Sequence, residues 1–101
     1  MSASIASDTG GLIRLEGELD FTSGVGLRTD LERAIKAQTG DVTLDFAGVT
    51  HTNSVGLSLI LVAARAQAEG TGSLRLQNLP AGLQSIAKVC ELDDWLATLA
   101  V

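Results

Sequence analysis

The sequence predicts a single α/β domain over residues 1–101, built on a mixed, mostly parallel sheet with an N-terminal hairpin and helices on one face. Three observations carry this. Leu12 to Glu18, Val42 to Phe46 and Ser73 to Gln77 alternate apolar with polar residues, the pattern of strands buried on one side. Strands covered on both faces would read as continuous apolar runs. Helix-period segments separate these strands and are long enough for parallel crossovers. Asp8-Thr9-Gly10-Gly11 is a turn signal that makes the first pair of strands an antiparallel hairpin.

In the first long strand Ile13 and Leu15 alternate with Arg14 and Glu16. From about Ser23 to Gln38, Leu27, Leu31, Ala34 and Ile35 recur at helical spacing while Arg28, Asp30, Glu32, Arg33 and Lys36 occupy the solvent side, with Gly40 as the stop. Val42, Leu44 and Phe46 then alternate with Thr43 and Asp45. The polar residues His51-Thr52-Asn53-Ser54 close that strand and open directly onto a nearly all-apolar helix. Leu74 and Leu76 alternate with Ser73, Arg75 and Gln77 in the last strand. Asn78-Leu79-Pro80 starts a third helix whose buried stripe is Leu83, Ile86, Ala87 and Cys90, and Asp93 is placed to cap a short helix carrying Trp95, Leu96 and Leu99.

A chain of 101 residues, 46% hydrophobic and 19% charged with one proline, is a compact folding unit. Domains of this size bury roughly 60 to 70% of their unfolded surface without disulfides or metals. The net charge of -5 and only seven Lys and Arg argue against nucleic acid as a partner, because phosphate-backbone affinity comes from those side chains. Cys90 stands alone and falls at an apolar helical position, so a buried inert thiol in a reducing cytoplasm is the expectation. Met1-Ser2-Ala3-Ser4-Ile5 lacks the basic and apolar regions of a signal peptide. The longest apolar stretch, Val55 to Ala64, is about half the ~20 residues needed to cross a bilayer. A cytoplasmic protein that neither spans a membrane nor leaves by a signal peptide is therefore expected.

Catalytic chemistry has little to work with. There is one histidine, one cysteine, no tyrosine, and no Ser, His and acid spacing that suggests a triad. His51 lies three residues from Ser54 and could act as its base, but a solvated loop histidine is the ordinary reading. A lone Cys and a lone His make no zinc site. Gly24-Val25-Gly26 lacks the third glycine of a dinucleotide fingerprint, and no P-loop is present. No enzyme, metal or cofactor is expected.

The helix after the polar loop carries the functional interest. Leu57, Ile60, Leu61, Ala64 and Ala68 cluster on one side and suffice to pack on the sheet. Val55, Leu59, Val62 and Ala66 form a second apolar stripe, with Ser58, Arg65 and Glu69 at its margin. Either neighbouring elements bury that stripe or a partner protein does. Ser54 has a bland reading and a sharp one. Thr52, Asn53 or Ser54 could each cap the helix. Alternatively, Ser54 is a contact or phosphorylation site at the positive end of a helix.

The segment Val42-Thr43-Leu44-Asp45-Phe46-Ala47-Gly48-Val49 followed by Asn53-Ser54-Val55-Gly56-Leu57 resembles the STAS domain, with its strand and Asp-Ser/Thr-x-Gly-Leu loop. The likeness runs from roughly Leu12 to Leu96. Ser54 falls on the family's phosphorylatable hydroxyl position, and Asn53 stands where the family usually has aspartate. Leu15-Glu16-Gly17-Glu18-Leu19 and Leu76-Gln77-Asn78-Leu79-Pro80 look most like the small subunit of Mla-type ABC transporters. That resemblance implies a non-catalytic subunit that binds the ATPase of a phospholipid transporter, through Thr52, Asn53, Ser54, Val55, Ser58, Leu59, Val62 and Arg65. The other branch of the resemblance implies an anti-sigma factor antagonist whose partner kinase phosphorylates Ser54. A small-ligand sensor is a third reading, and it would need a pocket.

Overall fold

The computed structural model describes residues 3–7 and 10–100, and in it four strands and four helices follow one another as β1 (Ala3–Ser7), β2 (Leu12–Leu19), α1 (Phe21–Lys36), β3 (Val42–Thr52), α2 (Ser54–Ala68), β4 (Leu74–Gln77), α3 (Ala81–Val89) and α4 (Asp93–Leu99). The sheet order is β1-β2-β3-β4. β1 and β2 pair antiparallel, and β2, β3 and β4 are parallel, so the sheet is mixed and opens with the expected hairpin. Asp8 and Thr9 of its turn, and Met1 and Ser2 ahead of β1, lie outside the described residues.

Register explains the one-sided sheet. Ile13 pairs with Leu44 and Leu44 with Leu76, and all three are fully buried. On the opposite face Arg14, Asp45 and Gln77 share a row. α1 lies against β1 and β2, α2 against β3 and β4, α3 packs on α2, and α4 sits at the β4 edge, where Ala100 bridges to Leu76. One expectation fails on the polar face. Asp45 is buried, because its carboxylate accepts from the Asn78 side-chain amide at 2.9 Å and the Ala47 N–H at 3.0 Å. Those two bonds, with the Asn78 amide first, hold its carboxyl below the usual carboxylate range.

Helix boundaries also differ from the sequence reading. α1 begins at Phe21 because Asp20 caps it: the Asp20 carboxylate accepts from the Thr22 and Ser23 N–H groups, both at 3.0 Å, while the Ser23 hydroxyl accepts from the Asp20 N–H. The Ser23 N–H is the main reason the Asp20 carboxyl titrates below its ordinary value. The helix ends at Lys36 with Ala37 as C-cap, ahead of the Gly40 stop. α3 ends at Val89, and Glu91 at φ 59 redirects the chain, so Cys90 falls off the buried stripe and is exposed rather than an inert core thiol. Asp93 is the first residue of α4 rather than its cap, a position held by Leu92. Among the described residues no helix is long and apolar enough to cross a membrane.

Candidate functional site

The junction between β3 and α2 is a single residue. β3 extends through His51 and Thr52 because Glu18 and Leu19 of β2 pair with them, so the first half of the expected four-residue polar loop is strand. Asn53 alone turns the chain. Its N–H donates to the Leu19 carbonyl at 3.2 Å, and its side-chain oxygen accepts from the Val55 N–H at 2.8 Å. Asn53 is therefore the helix cap, which resolves the choice among Thr52, Asn53 and Ser54. Thr52 donates to the Asn53 carbonyl at 3.1 Å. Ser54 is the first residue of α2, exposed, with a hydroxyl that takes no hydrogen bond among the described residues.

The next turn explains why glycine follows. A Cβ on Gly56 would collide with the Thr52 hydroxyl oxygen and come 3.2 Å from Leu83 Cδ1. Glycine lets the start of α2 press against the end of β3 and against α3, and this fixes the direction in which Ser54 emerges. At the other end of α2 the buried Gln67 side chain donates to the carbonyls of Gly40 at 2.9 Å and Thr71 at 3.0 Å, clamping the helix to the entry of β3.

These anchors set the rotation of α2, and the rotation corrects the two-stripe reading. Gly56, Leu57, Leu59, Ile60, Ala63, Ala66 and Gln67 are buried, whereas Leu61 is 41% exposed and Ala68 is exposed. Leu59, expected on an open stripe, is only 2% exposed because α1 lies over it. Val55 and Val62 are half-buried at the same contact, and Ser58 and Arg65 are exposed at its margin as expected.

An apolar surface exists nonetheless, and its α1 side is what the sequence reading missed. Phe21 and Val25 of α1 are 74% and 79% exposed, and with Gly24, Val55, Leu59 and Val62 they line a shallow groove of about 200 Å³ between α1 and α2. Arg28 and Ser58 stand on its rim. The missed signal was Asp20-x-x-Ser23, a capping pair that starts the helix two residues earlier and puts Phe21, Val25 and Arg28 on one face.

His51 is exposed at the end of β3, paired across the ladder with Glu18. Among the described residues no group of His, Cys, Asp and Glu is placed to hold a metal ion. Gly24-Val25-Gly26 lies inside α1 rather than at a phosphate-binding turn.

A one-sided α/β sheet, a free hydroxyl at a strand–helix junction and an apolar groove beside it define a small protein-interaction module. The chain belongs to the STAS domain family: the family described as Mlab, STAS domain matches residues 3–99. Members of this family are typically non-catalytic. Among solved structures, the chain is similar to the anti-sigma factor antagonist SpoIIAA in its unphosphorylated form, with a TM-score of 0.70 and 22% identity over 92% of this chain and 84% of that one. It is also similar to the Bacillus cell fate determinant SpoIIAA in its phosphorylated form, with a TM-score of 0.69 and 17% identity over 98% of this chain and 88% of that one. At these identities the likeness establishes the SpoIIAA-like fold. No protein of curated function matches the chain.

Proposed function

We propose that this chain is a non-catalytic STAS subunit that binds the ATPase of an Mla-type ABC transporter and supports phospholipid transport between the inner and outer membranes. The observation that carries the reading is the Mlab-type family match over residues 3–99, joined to an exposed Ser54 beside an apolar groove. In this reading the protein is cytoplasmic and reaches the inner membrane only through its partner. The exposed Ser54, Ser58 and Arg65, with Thr52, Asn53, Val55 and Val62 half-buried beside them, form the contact, and Leu59 supports it from beneath.

A second reading is favoured by the fold shared with SpoIIAA, an anti-sigma factor antagonist known in phosphorylated and unphosphorylated forms. Here a partner kinase would phosphorylate Ser54. The phosphate would add about two negative charges at a helix start, which tolerates them, beside an apolar groove, which does not. Asn53 caps the helix without charge, so this junction lacks the aspartate usual beside the switch residue, and that favours contact over regulation.

The test is affinity capture of the tagged chain from gently solubilised native cells. Recovery of an ABC ATPase with its membrane subunit supports the first reading, and recovery of only a soluble kinase-like protein replaces it with the second. Ser54→Ala and Ser54→Glu, run in the same capture, address the hydroxyl. Retention of the partner by both variants at the parent level would remove Ser54 from the contact.

A further inference from the structure

The two outer strands of the sheet, β1 and β4, are finished differently. β4 is four residues long and carries Arg75, and its outer side is met by α4 and bridged at Leu76 by Ala100. β1 has none of this. Ala3-Ser4-Ile5-Ala6-Ser7 holds no charge and no proline, and its five pairs with β2 run without a bulge. Among the described residues no other segment pairs with its outer side. Native sheets usually blunt such an edge with a lysine, a proline or a bulge, because its free N–H and C=O groups template another strand.

We propose that β1 pairs antiparallel with β1 of a second copy of this chain, about a two-fold axis through Ile5, joining two four-stranded sheets into one. An antiparallel edge is complementary to itself, and centring on Ile5 is the register that pairs all five residues: Ile5 with Ile5, Ser4 with Ala6, Ala3 with Ser7. On the helix face Ile5 is half-buried beside the fully buried Leu15, so an apolar row runs Leu15, Ile5, Ile5, Leu15 across the junction. On the open face the row reads Glu16, Ser4, then Ala6 and Arg14 of the second copy. Only two small residues separate these opposite charges, whose backbones stand three strand spacings apart, about 14 Å, and the two-fold axis makes the match twice. Neither Arg14 nor Glu16 is in an ion pair among the described residues. A foreign strand of arbitrary sequence offers no such match. α1 lies against β1 and β2, so the two copies of α1 come about two strand spacings apart, about 10 Å, the separation of packed helices. Because β4 is covered, assembly closes at two copies, and the Ser54 junction at the end of β3 stays open to a partner.

Sedimentation equilibrium of the full chain, up to about 1 mM, tests the pairing. The parent is expected to form a reversible dimer whose fraction rises with concentration. Ser4→Lys combined with Ala6→Lys sets like charges opposite each other twice and is expected to weaken the dimer by about ten-fold or more. Ser4→Glu combined with Ala6→Glu is expected to do the same. An equimolar mixture of the two doubly substituted chains should associate again as the parent does, since opposite charges then face each other across the axis. Ser4 and Ala6 are both exposed, so unchanged melting temperatures at a concentration where all the chains are monomers verify that the variants are folded. A parent that stays monomeric at about 1 mM overturns the proposal. A dimer that both doubly substituted chains keep at the parent's strength overturns it equally, because the seat then lies elsewhere.

Discussion

Leu59 gives the sharpest test of where the core runs between α1 and α2. At 2% exposure beneath α1, its truncation to alanine removes three buried carbon atoms and leaves a void in the α1–α2 contact. Comparable Leu→Ala changes cost about 2 to 5 kcal/mol. Leu59 also forms the floor of an open groove, so the void can collapse or admit water, and the lower half of the range applies, about 3 kcal/mol. That is a large part of the ~5 to 15 kcal/mol that holds a typical domain together. For a chain of this length it corresponds to a fall in melting temperature of roughly 12 to 24 °C. Val25→Ser, on the facing helix but 79% exposed, is expected to change stability by less than about 0.5 kcal/mol. Thermal and urea unfolding followed by circular dichroism measure both. A cost below about 1 kcal/mol for Leu59→Ala would refute its placement in the core.

The other predictions also concern single contacts. The Asp45 carboxyl has a folded-state pKa depressed below its unfolded value of about 3.9, so its stabilisation is complete above that pH and is lost as pH falls through the folded value. Asp45→Asn should therefore be less stable than the parent at neutral pH, with the gap closing in acid; a gap constant from pH 7 to pH 2 in urea titrations would overturn the assignment. A Cβ added at Gly26 would meet nothing within 4 Å, so Gly26→Ala should gain about 0.5 to 1 kcal/mol of helix stability. Gly24→Ala should lose that gain, since its Cβ would stand 2.9 Å from Val55 Cγ1 and force a stiff β-branched side chain to move. Equal melting temperatures for the two variants would contradict the close α1–α2 approach. Gly56→Ala should cost about 1 to 3 kcal/mol through the collision with Thr52 and Leu83, read by the same unfolding curves.

The strands were legible because alternation reports directly which face is buried, and Ile13, Leu15, Leu44 and Leu76 all obey it. The same rule misread Asp45, whose burial depends on Asn78, a residue brought to it from a separate strand end. The rotation of α2 was not legible. A helix apolar on nearly every side carries no phase, and its orientation is fixed by two residues without apolar side chains, Gly56 at one end and Gln67 at the other. Ser54 could be found from its motif, but its freedom could not, since that depends on Asn53 taking the cap. Phe21 and Val25 escaped notice for a related reason. Exposed apolar residues on a helix look incidental until a second helix with Val55 and Val62 lies alongside.

The close approach of α1 and α2 ties the groove to the core and decides which variants report on binding. Gly24 admits Val55, Gly56 admits Thr52 and Leu83, and Leu59 fills the space between the helices, so a change at any of these alters both stability and the groove's shape. Lost binding in a Leu59 variant would then say nothing about contact, because a collapsed floor removes the seat for any anchor. Phe21, Val25, Ser54, Ser58 and Arg65 behave differently: their side chains are exposed, and the fold asks little of them beyond helix propensity. Surface substitutions of this kind usually stay within about 0.5 kcal/mol of the parent, while a desolvated interface anchor can cost several times that on binding. A residue that leaves unfolding unchanged yet weakens the complex is therefore a contact, and these five positions are where that separation can be read.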